Sequence, residues 1–153
     1  MCTHNSIGVM ACLMRRAIVE EEDCPICQGE PETILHALWD YCGVKSVWSR
    51  LGVRSSNTVF WDSNLQEWLN FNGRQNGSAN LAKISWRILF SFTFWLIWKD
   101  RNQVVFRRKT RNPKLAAEIV NQATGYTHCF SFPRMPICKR VKRIRWSDLL
   151  EDG

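Results

Sequence analysis

The feature that most restricts what this chain can fold into is the pattern Cys24-x2-Cys27-x8-His36-x5-Cys42. Two thiols across a two-residue gap can clasp one ion, because the turn between them points both sulfurs inward. Pro25 stiffens the chain at that place. His36 and Cys42 can complete a Cys₃His tetrahedron of the kind zinc takes in structural sites. Four protein donors close the shell and leave no position for water or substrate, which argues for one structural Zn2+ and against metal catalysis. Binding releases thiol protons and adds folding energy to a segment with little core of its own. Asp40 is an alternative fourth donor, although thiolate suits zinc better beside two other thiolates. Two further readings stay open. One is a redox pair, which expects a βαβ context that no strand pattern before Cys24 supplies. The other is a set of buried, unliganded cysteines. Cys2, Cys12, Cys129 and Cys138 have no paired spacing and are read as bystanders.

The spacing also sets a condition on local structure. Residues six apart on an α-helix are rotated by about 240°, so Cys42 shares a face with His36 only if the helix ends between them. Gly43 is the expected end. Helical periodicity begins near Glu32 and continues through Ile34, Leu35, Leu38 and Trp39. Val44 to Leu51 reads as another short helix ended by Gly52. Ser63 and Gln66 form a capping-box pattern ahead of a helix through Trp68 and Leu69. A long helix is expected from about Leu81 to Arg108, apolar nearly all round and therefore buried on more than one side. Asn112 and Pro113 start the next helix, which reaches to about Gly125. The fold class expected is mainly α: a small zinc-knuckle module (1–56), a helical segment with the long aromatic helix (57–125), and a basic, largely irregular C-terminal arm (126–153).

Charge is divided along the chain. Residues 1–98 hold 8 Lys/Arg against 9 Asp/Glu, net −1, whereas residues 99–153 hold 13 against 5, net +8. A near-neutral body with a basic last third suits contact with a polyanion, nucleic acid before membrane. The candidate phosphate contacts are Arg107, Arg108, Lys109, Arg111, Lys139, Arg140, Lys142, Arg143 and Arg145. The most apolar run, Ile88 to Trp98, is 11 residues long, short of the roughly 20 that span a bilayer. No basic stretch leading into an apolar one opens the chain, so no membrane partner and an intracellular, reducing location (nucleus or cytoplasm) are expected.

Several of these elements occur together in a known family. Leu13-Met14-Arg15-Arg16-Ala17-Ile18, Cys24-Pro25-Ile26-Cys27, Glu32-Thr33-x2-His36-Ala37-Leu38 and Cys42-x5-Trp48 resemble the reverse-transcriptase zinc-binding domain of plant non-LTR (LINE-type) retrotransposon polyproteins. A second block, Trp95-Leu96-Ile97-Trp98-Lys99-Asp100-Arg101-Asn102-x3-Phe106, is similar to the segment that follows the zinc module there. The resemblance covers residues 13–106, and residues 107–145 resemble the basic linker that leads toward a ribonuclease H domain. It departs at Gly43, where the family often has proline, and in a short or missing lead-in. The polymerase and ribonuclease H domains are lacking, so the resemblance carries over no catalytic residue.

The function expected is therefore a non-enzymatic, zinc-binding accessory module with nonspecific binding to RNA or DNA. Such binding would be salt-sensitive, because it rests on phosphate contacts. The alternatives are a protein-interaction scaffold acting through the Trp86–Trp98 helix, and a retroelement relic without selected function.

Overall fold

The computed structural model describes residues 8–78 and 83–131. Six α-helices and one π-helical turn make up the ordered elements, with two isolated antiparallel bridges and no sheet among the described residues. In chain order the helices are α1 (Met10–Arg15), α2 (Cys42–Arg50), α3 (Thr58–Trp61), α4 (Leu65–Arg74), α5 (Trp86–Arg107) and α6 (Leu115–Ser131). The π-turn, His36–Asp40, lies between α1 and α2. The mainly helical class expected from periodicity is what the structure shows.

The core is built around α5, whose buried residues include Leu89, Phe90, Phe92, Thr93, Phe94, Leu96, Ile97 and Trp98. It is apolar nearly all round because it packs against α6, α4 and the π-turn at once. Trp48 of α2, Phe60 of α3, Trp68 of α4 and Phe90 of α5 meet in one aromatic cluster. Trp68 lies 4.9 Å from Phe90 and Trp48 lies 5.0 Å from Phe60, centroid to centroid and tilted edge to face. That geometry suits the ring quadrupoles and adds to the gain from burial. Trp48 donates its indole N–H to the Leu38 carbonyl at 3.0 Å, whereas the buried indole nitrogens of Trp39 and Trp68 find no hydrogen-bond partner among the described residues. Trp86 donates to Asn72 Oδ1 at 2.9 Å, which explains a fully buried asparagine.

Four boundaries differ from the sequence expectation. The helix carrying His36 does not run on to Gly43. It ends at Tyr41, which is extended (φ −68°, ψ 149°), and Gly43 is the second residue of α2. The cap of α4 is Asn64, whose side chain accepts from the Glu67 amide at 3.0 Å. Ser63, the expected cap, bonds back to the Val59 carbonyl instead. Asparagine is as good a cap as serine, so the register shifts by one residue without loss. The long helix starts at Trp86, not near Leu81. Finally, α6 continues past Gly125 to Ser131, because Tyr126 packs 5.6 Å from Phe92 and extends the α5–α6 contact. The first residues of the expected arm are thus helical, and its remainder from 132 onward lies outside the described residues. α2 does end as expected: Gly52 takes φ 94°, and the Val53 amide bonds the Trp48 carbonyl in a Schellman closure.

One hydrophobic cluster runs from Val9 to Ala123, joining both halves of the chain. The Trp86–Trp98 run, considered above as a docking face, is committed to this core. Trp86, Ile88 and Trp95 are only partly buried but also pack against it.

Candidate metal centre

Residues 22–32 form a loop pinched at its neck by the Asp23–Pro31 bridge and by the Glu32 amide donating to the Glu22 carbonyl at 2.7 Å. Within it the Cys24 amide bonds the Glu30 carbonyl at 2.9 Å, and the Gln28 amide closes a turn on the Cys24 carbonyl at 2.8 Å. Gln28 adopts φ 55°, the left-handed conformation that reverses the chain after Cys27. Thr33 Oγ1 then accepts from the His36 amide at 3.1 Å, capping the turn that carries the histidine. The threonine of the Glu-Thr-x-x-His pattern therefore has a mechanical role. It starts the helical turn at the residue that sets the direction of the imidazole.

These local structures bring Cys24, Cys27 and His36 together, with their donor atoms all within 4.8 Å of one another. Cys27 Sγ lies 3.3 Å from His36 Nε2. Tetrahedral zinc, with Zn–S of about 2.3 Å and Zn–N of about 2.0 Å, requires donor separations of roughly 3.5–3.8 Å. The cluster can hold a metal ion.

The surroundings of Cys24 fit that use. It is 1% exposed, and burial pushes its thiol up from the ordinary value. Opposing that, the amides of Cys27 and Ile26 are aimed at its sulfur and favour the thiolate. Glu32 and the Cys27 thiol push it up again. His36 is also buried, its ring 6.0 Å from that of Tyr41, whereas Cys27 faces solvent. Cys42 is the first residue of α2, directly after the break at Tyr41. Its side chain lies outside the described residues.

Two ion pairs that the sequence reading did not single out brace this centre. Arg101 of α5, 1% exposed, forms a two-point pair with Glu32, which is fully buried. Arg101 Nε donates to Oε1 at 2.9 Å, and Nη2 donates to Oε2. Nη1 also donates to the Gly8 carbonyl at 3.0 Å, and Glu32 Oε2 accepts from the Met10 amide at 2.9 Å. The guanidinium lies 5.1 Å from both the Trp98 and Phe106 rings. The second pair joins Asp100, the neighbour of Arg101, to Arg111 at 3.3 Å. The signal for both was present: Asp100 and Arg101 follow closely on the apolar run Ile88–Trp98, where a charge drawn into the core must find a partner.

The basic residues divide into three groups. Arg107, Arg108 and Lys109 are exposed at the end of α5, where Arg108 takes φ 51° and the Lys109 amide bonds the Gln103 carbonyl. Arg111 is half-buried, paired with Asp100 and stacked 4.7 Å over the Tyr41 ring. Lys139, Arg140, Lys142, Arg143 and Arg145 lie outside the described residues. Among the described residues no helix is long and apolar enough to cross a membrane.

No protein-family model matches this chain, and no solved structure matches it significantly. Over 98 residues, 63% of its length, the chain is 30% identical to a putative ribonuclease H protein of Arabidopsis thaliana. The chain spans 15% of the length of that relative.

Proposed function

We propose that this chain is a structural zinc-binding accessory module of a retroelement-derived reverse-transcriptase polyprotein, without catalysis of its own, that meets nucleic acid through phosphate contacts. The observation that carries the reading is the convergence of Cys24, Cys27 and His36 in a pinched loop with amides aimed at the Cys24 sulfur. Two thiolates and an imidazole select zinc over the harder cations, and Cys42 is the candidate fourth donor. The similarity to a plant putative ribonuclease H protein supports a retroelement origin. Exposed Arg107, Arg108 and Lys109 would supply part of the phosphate contact, with the more C-terminal basic residues supplying the rest.

The test is the zinc content of the purified protein beside its Cys24→Ser, His36→Ala and Cys42→Ser variants. About one zinc per chain, lost in the first two variants and weakened or lost in the third, is the expected result. A wild-type protein without zinc after refolding in its presence would remove the reading. Nucleic-acid binding is tested by titrating a fluorescent oligonucleotide at several salt concentrations. Affinity should fall steeply with salt and be indifferent to base sequence.

A further inference from the structure

Arg111 sits where no solvated phosphate contact would be expected. Its Nε lies 3.3 Å from Asp100 Oδ2, and its guanidinium carbon lies 4.7 Å from the centre of the Tyr41 ring. Asp100 is only 7% exposed, and its other oxygen accepts from the Asn112 amide at 3.0 Å. The guanidinium also presses on the backbone of Gly43. A Cβ at that position would stand 1.7 Å from Arg111 Nη1 and 2.9 Å from Tyr41 Cε2. Arg111 therefore touches residues on both sides of Cys42, at the place where the chain leaves the His36 turn and enters α2. Glycine at 43 is what lets the planar group come so close.

We infer that Asp100 and Arg111 form a clasp that fixes the Tyr41–Gly43 break, and with it the backbone from which Cys42 would close the metal centre. This rests on the metal reading proposed above. The requirement is geometric: donors six residues apart reach one ion only if the helix between them breaks at the right residue and in the right direction. A guanidinium stacked on Tyr41, packed on Gly43 and held from behind by a buried carboxylate fixes that direction. Neither Asp100 nor Arg111 is a ligand; both act through the backbone of residues 41–43. Outer-shell partners of this kind commonly alter metal affinity by about 10–100-fold.

The test is Co2+ and Zn2+ affinity, measured by absorption and chelator competition, for Asp100→Asn, Arg111→Gln, Arg111→Lys and the exposed control Arg108→Gln. Far-ultraviolet circular dichroism confirms that each variant keeps its helices. The two central substitutions change the net charge in opposite directions. A through-space effect on a divalent cation would therefore weaken binding in Asp100→Asn and strengthen it in Arg111→Gln. Positioning predicts about tenfold weaker binding in both, a comparable loss in Arg111→Lys, which keeps the charge but loses the planar stack, and no change in Arg108→Gln. Gly43→Ala gives an independent arm: its methyl displaces the guanidinium, so adding Arg111→Gln to it should cause little further loss. Wild-type binding with effects of opposite sign, or with none, overturns the clasp and leaves the metal reading standing. A wild-type protein that binds neither ion overturns both.

Discussion

Between Trp39 and Phe94 this chain is held by rings, whereas from Glu20 to Thr33 it is held by directional polar bonds. In the first region Trp39, Trp48, Phe60, Trp68 and Phe90 bury almost completely and touch one another across five helical elements. In the second, only Cys24 and Glu32 are buried, and neither contributes an aliphatic or aromatic side chain. Stability in the aromatic region scales with the apolar area removed from water. Stability in the loop depends on a few bonds, each of which must be satisfied or becomes a penalty. The contrast gives a physical reason for the place of Cys24, Cys27 and His36: a bound ion would supply the cross-link that a loop without a core of its own cannot make by packing. It also explains why α5 serves both regions. Its Phe90 and Phe94 face the rings, while Arg101 braces the loop through Glu32.

The contrast can be broken first at its strongest point. Trp68→Ala removes a fully buried ring that contacts five others and should destabilise the fold by about 3–5 kcal/mol, read as a lower urea midpoint. The loop side has one comparable point. Arg101→Met leaves the buried Glu32 carboxylate without its partner and should cost about 3 kcal/mol or more. Adding Glu32→Gln to it should recover part of that loss, since the unpaired charge disappears. A double variant less stable than Arg101→Met would show that the pair matters for something other than charge compensation. A smaller effect is expected at Thr33→Ala, about 1 kcal/mol from the lost cap, accompanied by weaker metal binding because His36 loses its fixed start. The smallest belongs to Arg107, Arg108 and Lys109. Replacing all three by Gln should leave the unfolding midpoint within about 0.5 kcal/mol of wild type and flatten the salt dependence of oligonucleotide binding. A large loss of stability there would mean that these residues have a structural role like that of Arg111.

What could be read in the sequence follows the same division. Periodicity located the buried helices because hydrocarbon burial is written locally, every three or four residues. The cysteine spacing located three donors that converge, since a two-residue gap and a following helix nearly dictate their approach. Boundaries were less legible. Ser63 and Asn64 are equally good caps standing side by side, and only the folded chain chooses. The break at Tyr41 instead of Gly43 depends on Arg111, which is distant in sequence and bound to that place by Asp100. The Glu32–Arg101 pair joins residues 69 apart, so no local window contains it. Charge counting likewise sees the basic run around Arg111 but not the Asp100 carboxylate that pairs with one of its members.

The most direct test of the account is amide hydrogen exchange of the wild-type protein with and without a zinc chelator. Chelation should strip protection from residues 22–40 and the start of α2 while the amides of α4 and α5 stay protected. Exchange that is unchanged throughout would mean that no metal orders the loop. Exchange that accelerates equally in α5 would mean that the aromatic core and the loop fold as one metal-dependent unit, contradicting the division between them.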